Sequence, residues 1–211
     1  DIGPEVTHVK IGDRVGLGGH SHYCMTCRQC LDGDHNLCES VQSTVPPGRH
    51  GAFADIVRAT GVSVIKLPDD LDAADAGPLF CAGITVFNPF VKFGIRPTDR
   101  IAVLGIGGLG HLALQFGKAW GCHVTALTSS SSKTEEAMSL GAHAVINSRD
   151  PEALAEAAGS FDVILSTVDV ALDWNQIIAM LKPKGRLHFL GVQAVPAELQ
   201  LMPLMFSQLS L

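Results

Sequence analysis

The chain has 211 residues, 46% of them apolar and 17% charged, with a net charge of −6. That is enough apolar mass for one large domain or two modest ones, and too few charges for a disordered chain. The negative balance argues against nucleic acid or an anionic membrane as partner, because phosphate binding needs a basic face, and no apolar run reaches the ~20 residues of a membrane helix.

The chain opens on Asp1, Ile2, Gly3 and Pro4, which read as the interior of a β domain with neither an initiator Met nor a charged-then-apolar leader. Its last ten residues, 202–211, stop inside an apolar, helix-like stretch, so both ends are expected to be cut. Up to about residue 85 the texture is turn-rich: residues 11–15 suggest a hairpin turn and 53–57 a short strand. From about residue 100 strands and helices alternate. A short apolar strand over 101–104 precedes Gly105. Leu109, Leu112, Ala113, Phe116, Ala119 and Trp120 then recur at helical spacing, and Gly121 is placed to cap the helix.

The cycle repeats. A strand over 123–127 leads to a helix over 133–140 that stops at Gly141, and a strand follows over 144–146. Asp150 is an N-cap, with Pro151 at the first helical position of a helix ending near Gly159. A strand over 162–165, a helix over 172–181, a turn over 183–185 and a strand over 186–190 complete the series. This alternation predicts an α/β fold with a doubly wound, Rossmann parallel sheet, and the six-strand order would place one more strand beyond Leu211.

Three patterns carry chemistry. Cys24, Cys27, Cys30 and Cys38 are four of the six cysteines, packed within one short segment. Four thiolates at this spacing can wrap one tetrahedral Zn²⁺ at about 2.3 Å per bond and close its shell, which makes a structural site; two disulfides or a cluster of free thiols are the alternatives. His20 and His22 flank the cluster and read as loop histidines, since four sulfurs suffice. Next, Gly105, Ile106, Gly107, Gly108, Leu109 and Gly110 form a GxGxxG turn directly between a strand and an amphipathic helix. There the first Gly allows the tight turn, the second lets a pyrophosphate approach and the third lets the helix pack on the sheet. The helix N-terminus offers free N–H groups to the phosphates.

Third, Thr128, Ser129, Ser130, Ser131, Ser132 and Lys133 follow the second strand, where an NAD site usually carries an acid for the ribose 2′-hydroxyl. Hydroxyls and a Lys suit a 2′-phosphate instead, hence NADP(H). Ser132 and Glu135 also fit a capping box, so part of the serine run could simply start a helix. Cys81 and Cys122 are isolated, and a lone Cys among apolar residues is more often core than ligand.

In this order the four-Cys lobe, the segment from Gly77 through Cys81 to Thr85, and the Gly105–Gly110 turn resemble the zinc-dependent medium-chain alcohol dehydrogenases, on the cinnamyl-alcohol-dehydrogenase-like, NADP-dependent aldehyde reductase branch. The resemblance covers essentially the whole chain. It implies a partial GroES-like catalytic domain over 1–86, with the zinc lobe at 22–40, and a Rossmann domain over 87–211 that is incomplete at its C-terminal end. It implies that Cys81 is a catalytic zinc ligand. It also implies that Thr85, Gly105 to Gly110, Thr128, Ser129, Ser130, Lys133, Thr167 and Gly191 contact the cofactor. The other catalytic ligands of that family, a Cys and a His-Glu pair, would precede Asp1. The loop between Cys38 and Gly51 is shorter than in the plant lignin enzymes, so their substrates are not carried over. The resemblance implies a cytoplasmic homo-oligomer that interconverts a small alcohol and an aldehyde. Two rivals are a zinc-free quinone or enoyl reductase on the same plan and a zinc-stabilised, non-catalytic NADP(H)-binding module.

Overall fold

In the computed structural model, which describes residues 1–45 and 51–211, the chain divides into two units, Asp1–Cys81 and Ala82–Leu211. Residues 46–50, which belong to the loop between Cys38 and Gly51, lie outside the described residues.

The first unit contains β1 (Val15–Leu17), β2 (His20–His22), α1 (Arg28–Leu31), β3 (Gln42–Ser43), β4 (Val64–Lys66) and α2 (Ala73–Ala76). Its described strands pair only as two antiparallel ladders, β1 with β4 and β2 with β3. Among its described residues, the buried apolar ones are Cys30, Cys38, Leu67 and Ala76. Two-stranded ladders are marginal by themselves, so a unit with so small a core needs another source of stability. Residues 53–57 form no strand: Phe53 and Ile56 stand almost fully in solvent. The short strand expected there does not form, and among the described residues no sheet face receives the segment. The tie across this unit is polar instead, with the Arg14 guanidinium donating to the carbonyls of Pro68, Asp69 and Leu71.

The second unit runs α3 (Ala82–Lys92), β5 (Arg100–Leu104), α4 (Gly110–Trp120), β6 (His123–Thr128), α5 (Thr134–Ser139), β7 (Ala144–Asn147), α6 (Pro151–Glu156), β8 (Phe161–Ser166), α7 (Trp174–Ala179), β9 (Leu181–Phe189) and α8 (Leu201–Phe206). The five strands form one parallel sheet in the order β7-β6-β5-β8-β9. Alternate residues of the central strand feed opposite faces. Ile101 and Val103 pack with Phe90, Ala113 and Leu114, whereas Ala102 and Leu104 pack with Trp174, Ile177 and Ile178. A strand covered on both faces has to read as a continuous apolar run, which is why β5 lacks polar alternation.

Caps set the helix limits as their residue types dictate. Asp150 accepts from Glu152 N and Ala153 N, Asp173 accepts from Asn175 N and Gln176 N, and Gly121 closes α4 in the left-handed conformation at φ 101°. One expectation changes at the far edge. The turn over 183–185 lies within β9 as an irregularity: Lys184 takes φ 65°, and the register jumps from Phe161↔Leu181 to Val163↔Arg186. The outer edge of β9 also receives a partner before the chain ends, since Leu187 N donates to Ser210 O at 3.0 Å and Ser210 N to Gly185 O at 3.1 Å, a parallel bridge. Among the described residues no helix is long and apolar enough to cross a membrane.

Candidate metal centre and nucleotide cleft

The four clustered cysteines converge because the backbone turns sharply between them. Met25 sits at φ 58° between Cys24 and Cys27. Cys27 caps α1 and Cys30 lies within it, while Cys38 closes the short 3-10 turn His35–Leu37. Their Sγ atoms all lie within 4.8 Å of one another. The Sγ atoms of Cys24 and Cys30 are 4.0 Å apart, close to the edge of about 3.8 Å that a tetrahedron with 2.3 Å bonds requires. All six cysteines are free, so the disulfide alternative is not realised.

Backbone amides prepare these sulfurs for negative charge. Cys24 Sγ accepts from Thr26 N and Cys27 N, Cys27 Sγ from Cys30 N, and Cys38 Sγ from Cys24 N, at 3.3–3.5 Å. The donors on Cys24 draw its thiol down to about 5. Burial first, and then the neighbouring thiols, push Cys30 up to about 12. Four thiolates this close cannot share a half-buried site without a cation, and the donor set suits Zn²⁺. His20 is turned aside: its Nδ1 meets the Tyr23 hydroxyl at 3.3 Å. Cys81 is exposed, and among the described residues no other group of three or more metal-binding side chains forms. Cys122 is buried, donates to Arg96 O at 3.2 Å and is pushed up to about 11 by burial, which places it in the structural role.

In the second unit the parallel sheet brings the C-terminal ends of its strands to one edge. A cleft of about 460 Å³ opens there, lined from the Gly turn (Gly105, Ile106 and Gly107), the end of β6 (Thr128, Ser129, Ser130 and Lys133), the end of β7 (Ser148 and Arg149) and the segment after β8 (167–172). Gly105 holds φ 88°, and an added Cβ would fall 2.4 Å from Val168. A Cβ on Gly110 would lie 1.9 Å from the Gly105 carbonyl oxygen, so α4 can dock only with glycine there. By contrast, nothing stands within 4 Å of the Cβ positions of Gly107 and Gly108. No side chain caps α4; His111 N donates back to Gly107 O at 3.1 Å, and a helix start leaves the neighbouring amides without intrahelical acceptors. The donor set and the open cradle fit a dinucleotide pyrophosphate.

Thr167 fastens this turn from β8: its hydroxyl lies 3.0 Å from Leu104 O and 2.7 Å from Gly105 O. Lys133 fastens it from the other side, with Nζ donating to Ile106 O at 2.7 Å. The capping box between Ser132 and Glu135 does not form, since no side-chain bond caps either the 3-10 turn Ser131–Lys133 or α5. Instead Ser130 N donates to Thr128 Oγ1 at 3.3 Å, and the Ser130 and Ser132 hydroxyls pair at 2.7 Å.

The cleft thus gathers Gly105, Ile106, Gly107, Thr128, Ser129, Ser130, Lys133 and Thr167. Gly108, Leu109 and Gly110 continue the turn into α4. Thr85, half-buried in α3, and Gly191, which follows β9, are not among the lining residues; a Cβ on Gly191 would press on the Val168 carbonyl at 2.6 Å. Sequence reasoning missed Ser148 and Arg149. The available signal is topological: β7 is parallel to its neighbours, so whatever follows it emerges at the same edge.

Comparison with known proteins agrees with this geometry. Residues 1–69 match the alcohol dehydrogenase GroES-like domain and residues 108–211 match the zinc-binding dehydrogenase family. The chain is 56% identical over 209 residues to an aldehyde reductase, AdhA, of Synechocystis sp., covering 99% of this chain and 62% of that protein. It is 37% identical to NADP-dependent alcohol dehydrogenase C 1 of Mycolicibacterium smegmatis, covering 97% of this chain and 61% of that one. Among solved structures, a cinnamyl alcohol dehydrogenase from Sorghum bicolor superposes with a TM-score of 0.88 at 34% identity, over 100% of this chain and 62% of the other. The chain therefore spans about 60% of the length of the curated relatives it matches. The fold is α/β, a Rossmann-like five-stranded parallel sheet joined to a GroES-like N-terminal part, and the four-cysteine cluster is a structural zinc site.

Proposed function

This chain belongs to the zinc-binding medium-chain alcohol dehydrogenase family, and on that premise we propose that the whole protein transfers a hydride between NADP(H) and a small alcohol/aldehyde pair, with aldehyde reduction as its working direction. One observation carries the cofactor choice. The rim after β6 presents Thr128, Ser129, Ser130 and Lys133 to the cleft and no acid. An acid there would hold the ribose hydroxyls of NAD and repel a 2′-phosphate. Two relatives carry names in keeping with this, an aldehyde reductase and an NADP-dependent alcohol dehydrogenase.

In this reading the amides at the start of α4 hold the pyrophosphate, and Ser129, Ser130 and Lys133 hold the 2′-phosphate. Thr167 keeps the turn in shape, while Thr85 and Gly191 approach the nicotinamide half. Cys81 supplies one ligand of a catalytic zinc, and the remaining ligands come from sequence outside these 211 residues. When bound, zinc supplies Lewis acidity at the substrate oxygen and the nicotinamide supplies the hydride. The working enzyme is a cytoplasmic homo-oligomer.

For the 211-residue chain taken alone, the exposed Cys81, which joins no group of three or more metal-binding side chains among the described residues, favours a zinc-stapled nucleotide-binding module without turnover. The test is NADPH and NADH oxidation by the whole protein across a panel of aldehydes, run beside the chain alone. The whole protein should turn over with NADPH in preference to NADH, and the chain should bind NADPH without turnover. Preference for NADH, or no aldehyde-dependent oxidation by the whole protein, would overturn the reading.

A further inference from the structure

Two cations line the nucleotide cleft, Lys133 and Arg149, and they differ in how they are engaged. Lys133 is half-buried, and its ammonium already donates to the Ile106 carbonyl. Arg149 is exposed, and among the described residues its guanidinium has no ion-pair or hydrogen-bond partner; only its backbone N is engaged, with Asn147 Oδ1 at 3.0 Å. The sheet register sets where Arg149 emerges. Thr128 pairs with Asn147, and Ser148 N continues the ladder to Thr128 O at 3.0 Å. Arg149 therefore leaves β7 beside the Ser129–Ser130 turn that leaves β6. The adjacent Asp150 carboxylate is aimed at α6, accepting from Glu152 N and Ala153 N, and forms no ion pair with it.

We propose that Arg149 is a specificity-determining residue of this cleft, closing on the 2′-phosphate of NADP(H) from the β7 side while the serines hold it from the β6 side. This rests on the NADP(H) reading given above. A guanidinium presents a planar fork of donors that matches phosphate oxygens two at a time, and a charge-assisted bond is roughly twice as strong as a neutral one. Lys133, tethered to the Gly turn, then acts partly as a positioning residue, and Arg149 is the cation free to discriminate.

The test titrates the chain with adenosine 2′,5′-bisphosphate and with 5′-AMP by calorimetry; the two ligands differ only in the 2′-phosphate. The unmodified chain should prefer the bisphosphate. Arg149→Ala should lower bisphosphate affinity about tenfold or more and leave 5′-AMP affinity and the melting temperature unchanged. Arg149→Lys should restore part of the preference, since it returns the charge without the fork. Equal weakening of both ligands would mean that Arg149 stacks on the adenine, and an unchanged preference would mean that it faces solvent; either result overturns the proposal. If the unmodified chain binds both ligands equally, the NADP(H) reading itself fails, and this inference with it.

Discussion

At the scale of the residue, the least legible fact was what each polar side chain touches. Lys133 is an example. Its place after the second strand marks it as a phosphate ligand, yet its Nζ donates to Ile106 O across the cleft, a pair separated by 27 positions in sequence. Removing it takes away both a charge and a tether on the Gly turn. Lys133→Ala should therefore weaken NADPH by about 1.5–3 kcal/mol, the range for hydrogen bonds to charged groups, and NADH by about 0.5–1.5 kcal/mol, the range for ordinary ones. Calorimetric titration of both cofactors checks this; an unchanged NADH affinity would mean that the Ile106 bond does not shape the site. The thiols divide in the same way. Clustering and spacing singled out Cys24, Cys27, Cys30 and Cys38, whereas the opposite displacements of the Cys24 and Cys30 thiols depend on which amides point at sulfur and how deeply each is buried.

At the scale of the element, legibility followed covalent and short-range rules. The five parallel strands, the Asp150 cap and the Gly121 stop all depend on residues close in sequence. The misreadings came where distant packing decides, as at residues 53–57, and where a turn was absorbed into β9. The Gly turn separates two uses of one residue type. Gly110 has no room for a Cβ beside the Gly105 carbonyl, whereas Gly107 faces open space. Gly110→Ala should therefore lower the melting temperature sharply or prevent folding, since α4 cannot dock without shifting its neighbours. Gly107→Ala should melt with the unmodified protein but bind the dinucleotide more weakly, because the new methyl would occupy the pyrophosphate approach. Thermal melts paired with cofactor titration distinguish the two. A Gly107→Ala protein that binds normally would place the phosphates elsewhere.

At the scale of the whole molecule, the two units draw stability from different sources. The sheet of the second unit is buried on both faces by two apolar clusters. The first unit has short two-stranded ladders and few buried apolar residues, so its four-thiolate site is coupled to its folding. The chain should carry about one tightly held zinc, because a closed four-sulfur shell retains the ion while Cys81 alone cannot. Stripping zinc with a strong chelator, or substituting Cys27→Ser, should abolish amide-exchange protection in residues 1–81 and leave the strands of the second unit protected. Elemental analysis and hydrogen exchange check both statements; protection lost uniformly, or retained throughout, would contradict the division of labour.

The parallel α/β plan, the zinc-binding four-cysteine lobe and the position of the nucleotide turn can be read from residue order alone, because each depends on residue types at short, fixed spacings: apolar runs, Cys-x-x-Cys, and glycines between a strand and a helix. It takes the folded chain to show that Thr167 and Lys133 clamp the Gly turn from opposite sides, that Arg149 shares its cleft, and that Ser210 pairs with the outer edge of β9. Those contacts join segments far apart in the chain, and strand order and register brought them together where periodicity had nothing to say.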